Sequence, residues 1–440
     1  MQIFVCDALC GQGKTQACIG MINDDLSHKY IVITPYLTEV DRIKKACVSR
    51  GFASPEQRTL TGYSKFNDLV ELLRAGRNIV STHALFYSYT DEVKELIRAQ
   101  GYILVLDEVL DLFQPLGMDG GDVDFLVRNG IASKDDNMVL WEDEDYSGSI
   151  FHDVKRMSKS RNLIDYDGSF YFWVIPIDLF ECFPKAYVLT YMFEHQLLRY
   201  FFEANNISYE LIGVKRENDN YRYCRLSQMD RRIDLTDKIL ITQKPRYNEI
   251  GNEAFSLSAG WFDRAAAEPE QPKIRVLKNN LYNIFRNPEI KSTDKMWTTL
   301  NRYRNALKGK GYSNGFITFN KRATNDFANR HYLAYCLNVY MMPWMKNYLH
   351  RTGVTDINQD MYALSVLIQW IFRSAVRNGE TIHIYLPSKR MRFLLTEWLK
   401  NLKEGKDLTE IRFALWNKVD YFEAGYALKR SKKLKEERKR

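Results

Sequence analysis

Ala8-Leu9-Cys10-Gly11-Gln12-Gly13-Lys14-Thr15 is the stretch on which the fold turns. It lies between a short apolar run at residues 2–5 and a segment of helical character at 14–22. Glycines in such a loop let backbone N–H groups turn inward around phosphate oxygens. Gly11, Gln12 and Gly13 would form this phosphate cradle, and Lys14 would neutralise β- and γ-phosphates. The Thr15 hydroxyl suits Mg²⁺. The helix that begins here offers its positive end to the same anion. Where the strict pattern opens on glycine, this chain has Ala8.

Outward from the loop, strand and helix alternate. Residues 2–5, 30–34, 78–81 and 102–106 read as strands, with helical stretches at 14–22 and 37–49. That alternation builds a parallel sheet covered by helices on both faces. Residues 111–185 break the rhythm. They start with a Gly- and Asp-rich stretch (Gly117, Asp119, Gly120, Gly121, Asp122) that reads as a loop opening an insertion. Alternation resumes with a strand at 186–190 and a helix at 194–204. A second α/β region starts near 211, with strands at 238–242, 315–319 and 381–386 and helices at 361–376 and 389–402. Pro387 and Ser388 mark the start of the last helix. The expected division is 1–212, carrying the insertion at about 111–185, then 213–428, then a tail at 429–440.

Downstream of the loop, Ile103-Leu104-Val105-Leu106-Asp107-Glu108 delivers two carboxylates at the end of an apolar strand. Ligands bind open α/β sheets at that end of the strands. Asp107 would hold Mg²⁺ through water, and Glu108 would orient and deprotonate an attacking water. An Asp-Glu pair after a strand also serves as a helix cap. Its pairing with the phosphate loop selects the catalytic reading.

Charge is uneven along the chain. The formal net charge is +8. Residues 429–440 contribute +6 and residues 119–145 contribute −7, which leaves +9 on the remainder. A basic body with a basic tail suits a polyanion. Seven cysteines, with no Cys-x-x-Cys pair, argue against a zinc ribbon and against a secreted disulfide framework. They read as reduced thiols in a cytoplasmic chain. The longest apolar stretch, near 361–372, is broken by Gln369 and is too short to span a bilayer, so no membrane partner is expected.

The loop and the acid pair together resemble the superfamily-2 helicases and translocases, a DEAD/DEAH-like group of P-loop ATPases with a Walker A loop. That family often writes its loop Ala-x-x-Gly-x-Gly-Lys-Thr, as residues 8–15 do, and its second motif Asp-Glu-x-x, here Asp107-Glu108-Val109-Leu110. Ile31-Val32-Ile33-Thr34-Pro35 and Ile79-Val80-Ser81-Thr82-His83 are similar to elements that touch the nucleic-acid backbone, which implies that role for Thr34, Pro35, Thr82 and His83. Val188-Leu189-Thr190 is similar to the coupling motif, with Tyr191-Met192 in place of its usual continuation. Gln369, Arg373 and Arg377 are spaced i, i+4, i+8 and would share one helix face. The family's last motif has a Gln and two Args on a helix, the Args acting on the γ-phosphate across a cleft; here the second Arg comes one residue late. Phe319-Asn320-Lys321-Arg322-Ala323-Thr324-Asn325 stands where the fifth motif belongs without spelling it, so no role is carried over.

The resemblance implies an α/β fold of two tandem RecA-like P-loop domains with parallel sheets and an insertion in the first. It implies ATP and Mg²⁺ as cofactors and an ATP hydrolase that moves on nucleic acid. DNA is favoured over RNA, single-stranded or at a junction, with replication or recombination proteins as partners. The whole is most similar to helicases of bacteriophages. With one strand before the loop, no adenine-reading motif is expected upstream of it. Two alternatives stay open. The motor of a viral DNA-packaging terminase also has a phosphate loop and an acid pair. A binding protein switched by ATP would keep the same loop.

Overall fold

The computed structural model describes residues 1–57, 64–117, 120–146, 148, 151–159, 162–168, 170–320 and 326–406. The basic run 429–440 and residues 321–325 lie outside the described residues.

The alternating region gives β1 (Gln2–Asp7), β2 (Tyr30–Thr34), β3 (Ile79–Thr82) and β4 (Ile103–Asp107). The insertion gives β5 (Phe113–Pro115), β6 (Ala132–Asp135), β7 (Met138–Trp141), β8 (Leu163–Tyr166) and β9 (Phe170–Val174). Then come β10 (Lys185–Thr190), β11 (Glu210–Glu217) and β12 (Asn220–Arg225). The first sheet runs β12-β11-β1-β10-β4-β2-β3 and is parallel except for the β11–β12 hairpin. All five residues of β2, Tyr-Ile-Val-Ile-Thr, are buried. A near-continuous β-branched run is what a strand covered on both faces requires. Helix α1 (Lys14–Asp24) buries Ala17, Cys18, Ile19 and Ile22 against Val32, Val80, Val105 and Leu189.

The insertion differs from the loop read at its start. It is a second, antiparallel sheet, β5-β9-β8-β7-β6. Gly120 and Gly121 open a helix, Gly120–Arg128, instead of a turn. Val123 and Leu126 are fully buried, and an apolar stripe of that spacing outweighs the glycines' low helix propensity. A helix from far along the chain, Pro343–Arg351, packs here too. Trp344 lies 4.7 Å from the Phe172 ring and Tyr348 lies 5.7 Å from the Phe113 ring. Arg351 makes a two-pronged ion pair with Asp167 at 3.1 and 3.0 Å.

The chain divides into Met1–Met229 with Met342–Ile357, and Asp230–Met341 with the residues from Asn358 on. The boundary read at 212/213 falls inside β11, which hydrogen-bonds to β1, and the hairpin carries the first unit to Met229.

The second unit holds β13 (Ile239–Ile241), β14 (Lys295–Thr298), β15 (Tyr332–Tyr335) and β16 (Ile382–Tyr385). They form a parallel sheet ordered β13-β16-β15-β14. Helices Ala259–Ala267 and Pro272–Phe285 pack Phe262, Leu277 and Leu281 on the face that carries Trp297 and Tyr385. Ser388 caps the helix Lys389–Glu404, its hydroxyl accepting from the Met391 N–H at 3.3 Å. The fold class is therefore α/β, two units on parallel sheets with an insertion in the first.

Two expectations for the second unit need correction. Residues 315–319 are not a strand. Ser313–Gly315 is a 3₁₀ turn, and only Phe316 bridges, to Trp297. A Cβ on Gly315 would lie 2.2 Å from the Lys295 carbonyl oxygen, so this stretch crosses tightly over β14. The helix expected at 361–376 is Gln359–Ile371, and it stops before Arg373. Ser374 is extended (φ −87°, ψ −174°) and opens a separate 3₁₀ turn, Ala375–Asn378, that carries Arg377.

Candidate ATP site at the carboxyl ends of the first sheet

β10 lies between β1 and β4, so its end is shared by the phosphate loop and the acid pair. The Ala8 N–H donates to the Thr190 carbonyl (3.1 Å), and the Glu108 N–H donates to the Leu189 carbonyl (3.2 Å). Both segments are thereby pinned to one strand end. Gly11 and Gly13 adopt φ of 86° and 85°, a left-handed geometry that costs L-residues roughly 1–2 kcal/mol and glycine little. Gly13 is the N-cap of α1.

The Lys14 ammonium donates to the carbonyls of Ala8 (2.6 Å) and Leu9 (3.2 Å), inside its own loop. The Thr15 hydroxyl donates to Asp107 Oδ1 at 3.1 Å. The loop residues Gly11, Gly13, Lys14 and Thr15 are thereby joined through Thr15 to Asp107 from a distant segment. Glu108 follows with φ of 82°, a strained value for a glutamate.

Burial pushes the Asp107 carboxyl up to about 6, with the charges of Glu108 and Glu39 adding to the effect. The Thr15 hydrogen bond and Arg42 oppose it. A desolvated carboxylate beside a threonine hydroxyl is an oxygen-donor pair short of positive charge. That donor set fits Mg²⁺, which is held through one or two carboxylates plus phosphates.

Asp7, which the sequence reading passed over, belongs to this site. Its Oδ1 accepts the Met192 N–H (2.8 Å) and its Oδ2 the Phe193 N–H (3.1 Å). Burial raises its pKa to about 6, against those two hydrogen bonds and the charge of Lys14. The available signal was a carboxylate closing the apolar strand directly before the loop. Met192 bends into the left-handed region (φ 59°) to deliver its N–H. The Thr190 hydroxyl bonds Gln196 Oε1 at 2.9 Å, and the Gln196 amide returns to the Tyr191 carbonyl at 2.6 Å. Tyr191-Met192, the departure from the coupling motif, is thus a fixed turn over Asp7.

Thr34 and Thr82 are register partners at the ends of β2 and β3. The Thr34 side chain is wholly buried and its hydroxyl donates to the Tyr36 carbonyl at 3.1 Å. Its hydroxyl is therefore committed to the fold, whereas Pro35, Thr82 and His83 are half-buried. In the second unit Gln369, Arg373 and Arg377 do not share one helix, as described above. Arg373 is 5% exposed; Gln369 and Arg377 are half-buried.

Residues 114–173 match the model of the YonV middle domain, and residues 233–399 match that of the YonV C-terminal Rossmann-like domain. Among solved structures, S. tokodaii Xpd4 is 13% identical with a TM-score of 0.48, covering 93% of this chain and 95% of that one. A variant of S. cerevisiae Dbp5 bound to RNA and ADP BeF3 is 13% identical with a TM-score of 0.37, covering 96% and 88%. These solved neighbours are superfamily-2 helicases. The SPbeta prophage-derived uncharacterized protein YonV of Bacillus subtilis (strain 168) is 37% identical over 416 residues, 91% of this chain and 99% of that protein. The chain belongs to the YonV family.

Proposed function

We propose that this protein is an ATP-dependent helicase or translocase that moves on nucleic acid, DNA before RNA, in phage replication or recombination. The observation that carries the proposal is the Thr15–Asp107 hydrogen bond, which joins the phosphate loop to the acid strand with Glu108 next in line. Prophage origin of the relative supports the phage setting. The +9 body and +6 tail support a polyanionic track.

Lys14 would exchange the Ala8 and Leu9 carbonyls for phosphate oxygens. Thr15 and Asp107 would hold Mg²⁺, which supplies charge neutralisation on the phosphates when bound. Glu108 would take the proton of the attacking water. Gln369 and Arg377, the more accessible members of their trio, are the residues we assign to sensing the nucleotide. Arg373, 5% exposed, is assigned a packing role.

Steady-state ATP hydrolysis with single-stranded DNA, double-stranded DNA and RNA, beside a Lys14→Ala control, tests this reading. We expect stimulation of at least about tenfold by one DNA form and loss of turnover in the control, in line with the large effects of phosphate-site residues. Hydrolysis indifferent to all three polymers would refute a nucleic-acid motor.

A further inference from the structure

β11 pairs with β1 only through Glu210, Leu211 and Ile212, opposite Phe4, Val5 and Cys6. It then runs on to Glu217, past the carboxyl end of β1, before β12 returns antiparallel. β1 itself continues one residue past Cys6 to Asp7, so four residues of β11 at roughly 3.3 Å each overhang it by roughly 13 Å. The hairpin therefore stands over the phosphate loop.

Tyr221 and Tyr223 alternate onto the hairpin face that meets α1. Tyr223 is the anchor. Its ring stacks on Tyr187 (centroids 5.8 Å, 9° between planes), and its hydroxyl lies 3.5 Å from the Lys14 carbonyl. Tyr221, nearer the hairpin tip, sits on the loop itself. A Cβ built on Gly13 would lie 2.2 Å from Tyr221 Cδ1 and 2.5 Å from Cε1 and Cγ. The Tyr221 side chain stays half-open to solvent.

The polarity of a bound nucleotide follows from the sheet. Thr15, Asp107 and Glu108 draw the terminal phosphate and its metal to the β4 side of β1. β11 and β12 lie on the opposite side of β1. A triphosphate chain that ends at the acid pair sends its ribose and base away from it, towards the hairpin. The group waiting there is an aromatic ring in contact with the loop.

We propose that Tyr221 is the stacking platform for the nucleotide base, so that the hairpin β11–β12 forms the nucleoside subsite; this rests on the ATP-site reading above. Stacking tolerates any flat base, because every base has a π-face. The site therefore takes nucleoside triphosphates as a class, ATP and GTP within about tenfold of each other, a gap of about 1.4 kcal/mol.

The test compares Mg·ATP with Mg·tripolyphosphate, which lacks the nucleoside, on the full chain and on Tyr221→Leu and Tyr221→Phe. Titration calorimetry should show ATP weakened roughly 5–150-fold in Tyr221→Leu, with tripolyphosphate unchanged and Tyr221→Phe close to wild type. An equal loss of both ligands in Tyr221→Leu would make the ring a prop for the loop and overturn the proposal. So would a Tyr221→Leu variant that binds ATP normally. If the wild-type chain binds neither ligand and Lys14→Ala changes nothing, the ATP site itself is wrong, and the platform falls with it.

Discussion

Replacing Asp107 by Asn should make the resting protein more stable at alkaline pH. Burial, with the charges of Glu108 and Glu39, disfavours its anion and pushes the carboxyl from the ordinary 3.8 up to about 6. The folded chain thus holds this proton more tightly than the unfolded chain does. Ionised Asp107 destabilises the fold. That cost is absent below pH ~4, grows between ~4 and ~6, and is constant above ~6. About two pH units at about 1.4 kcal/mol each set it near 3 kcal/mol. Asn removes the charge and keeps an oxygen to accept from the Thr15 hydroxyl, now 3.1 Å from Oδ1. The variant should gain about 2–3 kcal/mol at pH 8, seen as a rise of roughly 4–12 °C in the melting transition of the first unit. At pH 4 the gain should vanish, while Mg²⁺-dependent hydrolysis is lost at every pH. Urea titrations of both proteins at pH 4, 6 and 8 would show this. A variant no more stable than wild type at pH 8, or equally stabilised at pH 4 and pH 8, would refute the desolvation argument.

Other substitutions separate charge, strain and packing. Asp7→Asn also removes a buried charge, but one amide oxygen cannot serve both the Met192 and Phe193 N–H groups. Its stability at pH 8 should therefore stay within about 1 kcal/mol of wild type, because an orphaned donor costs about 1–3 kcal/mol; a gain matching that of Asp107→Asn would show that the paired bonds are unimportant. Gly13→Ala should lose about 2–5 kcal/mol, the left-handed backbone and the clash with Tyr221 both contributing. In a double-mutant cycle Tyr221→Ala should return only the clash, a coupling of about 1–3 kcal/mol, and strict additivity would mean the ring is not seated on Gly13. In the second unit, buried Arg390 donates to Asp360 (2.6 Å), Asn338 (2.9 Å) and the Val339 and Gln359 carbonyls (both 2.8 Å). Arg390→Met leaves the buried Asp360 carboxylate uncompensated and should cost about 3–5 kcal/mol in denaturant titration; a loss under about 1 kcal/mol would show that the cluster is loose.

Legibility in the sequence followed the distance over which each feature is specified. The loop at 8–15 and the pair Asp107-Glu108 are contiguous, and their chemistry dictates residue types, so both could be read directly. β14 and β15 escaped notice because Lys-Met-Trp-Thr and Tyr-Leu-Ala-Tyr are four-residue strands without clear alternation. The apolar 315–319 took their place in the reading, although Gly315 serves a close crossing there. Spacing alone put Arg377 on a helix with Gln369. The extended backbone of Ser374 ends that regularity, and no residue type in the run announces it. The seat of Tyr221 on Gly13 depends on how far a hairpin overhangs its neighbour, and no local pattern encodes that.

Unfavourable features gather at one place in the first sheet. Asp7 and Asp107 are carboxyls that burial holds near a pKa of about 6. Glu108 and Met192 are left-handed without being Gly, Asn or Asp. Gly11 and Gly13 need left-handed backbone as well. These residues lie at or just beyond the carboxyl ends of β1, β4 and β10, on one edge of one sheet. A fold selected for stability alone would disperse or remove such costs, since each is of order 1–3 kcal/mol. Their concentration, with a lysine bonded to the loop's own carbonyls, fits the nucleotide and Mg²⁺ site proposed above. A divalent cation bound there would compensate the desolvated carboxylates. Nucleotide binding should therefore stabilise this unit by more than it stabilises Asp107→Asn, in which that compensation has already been supplied.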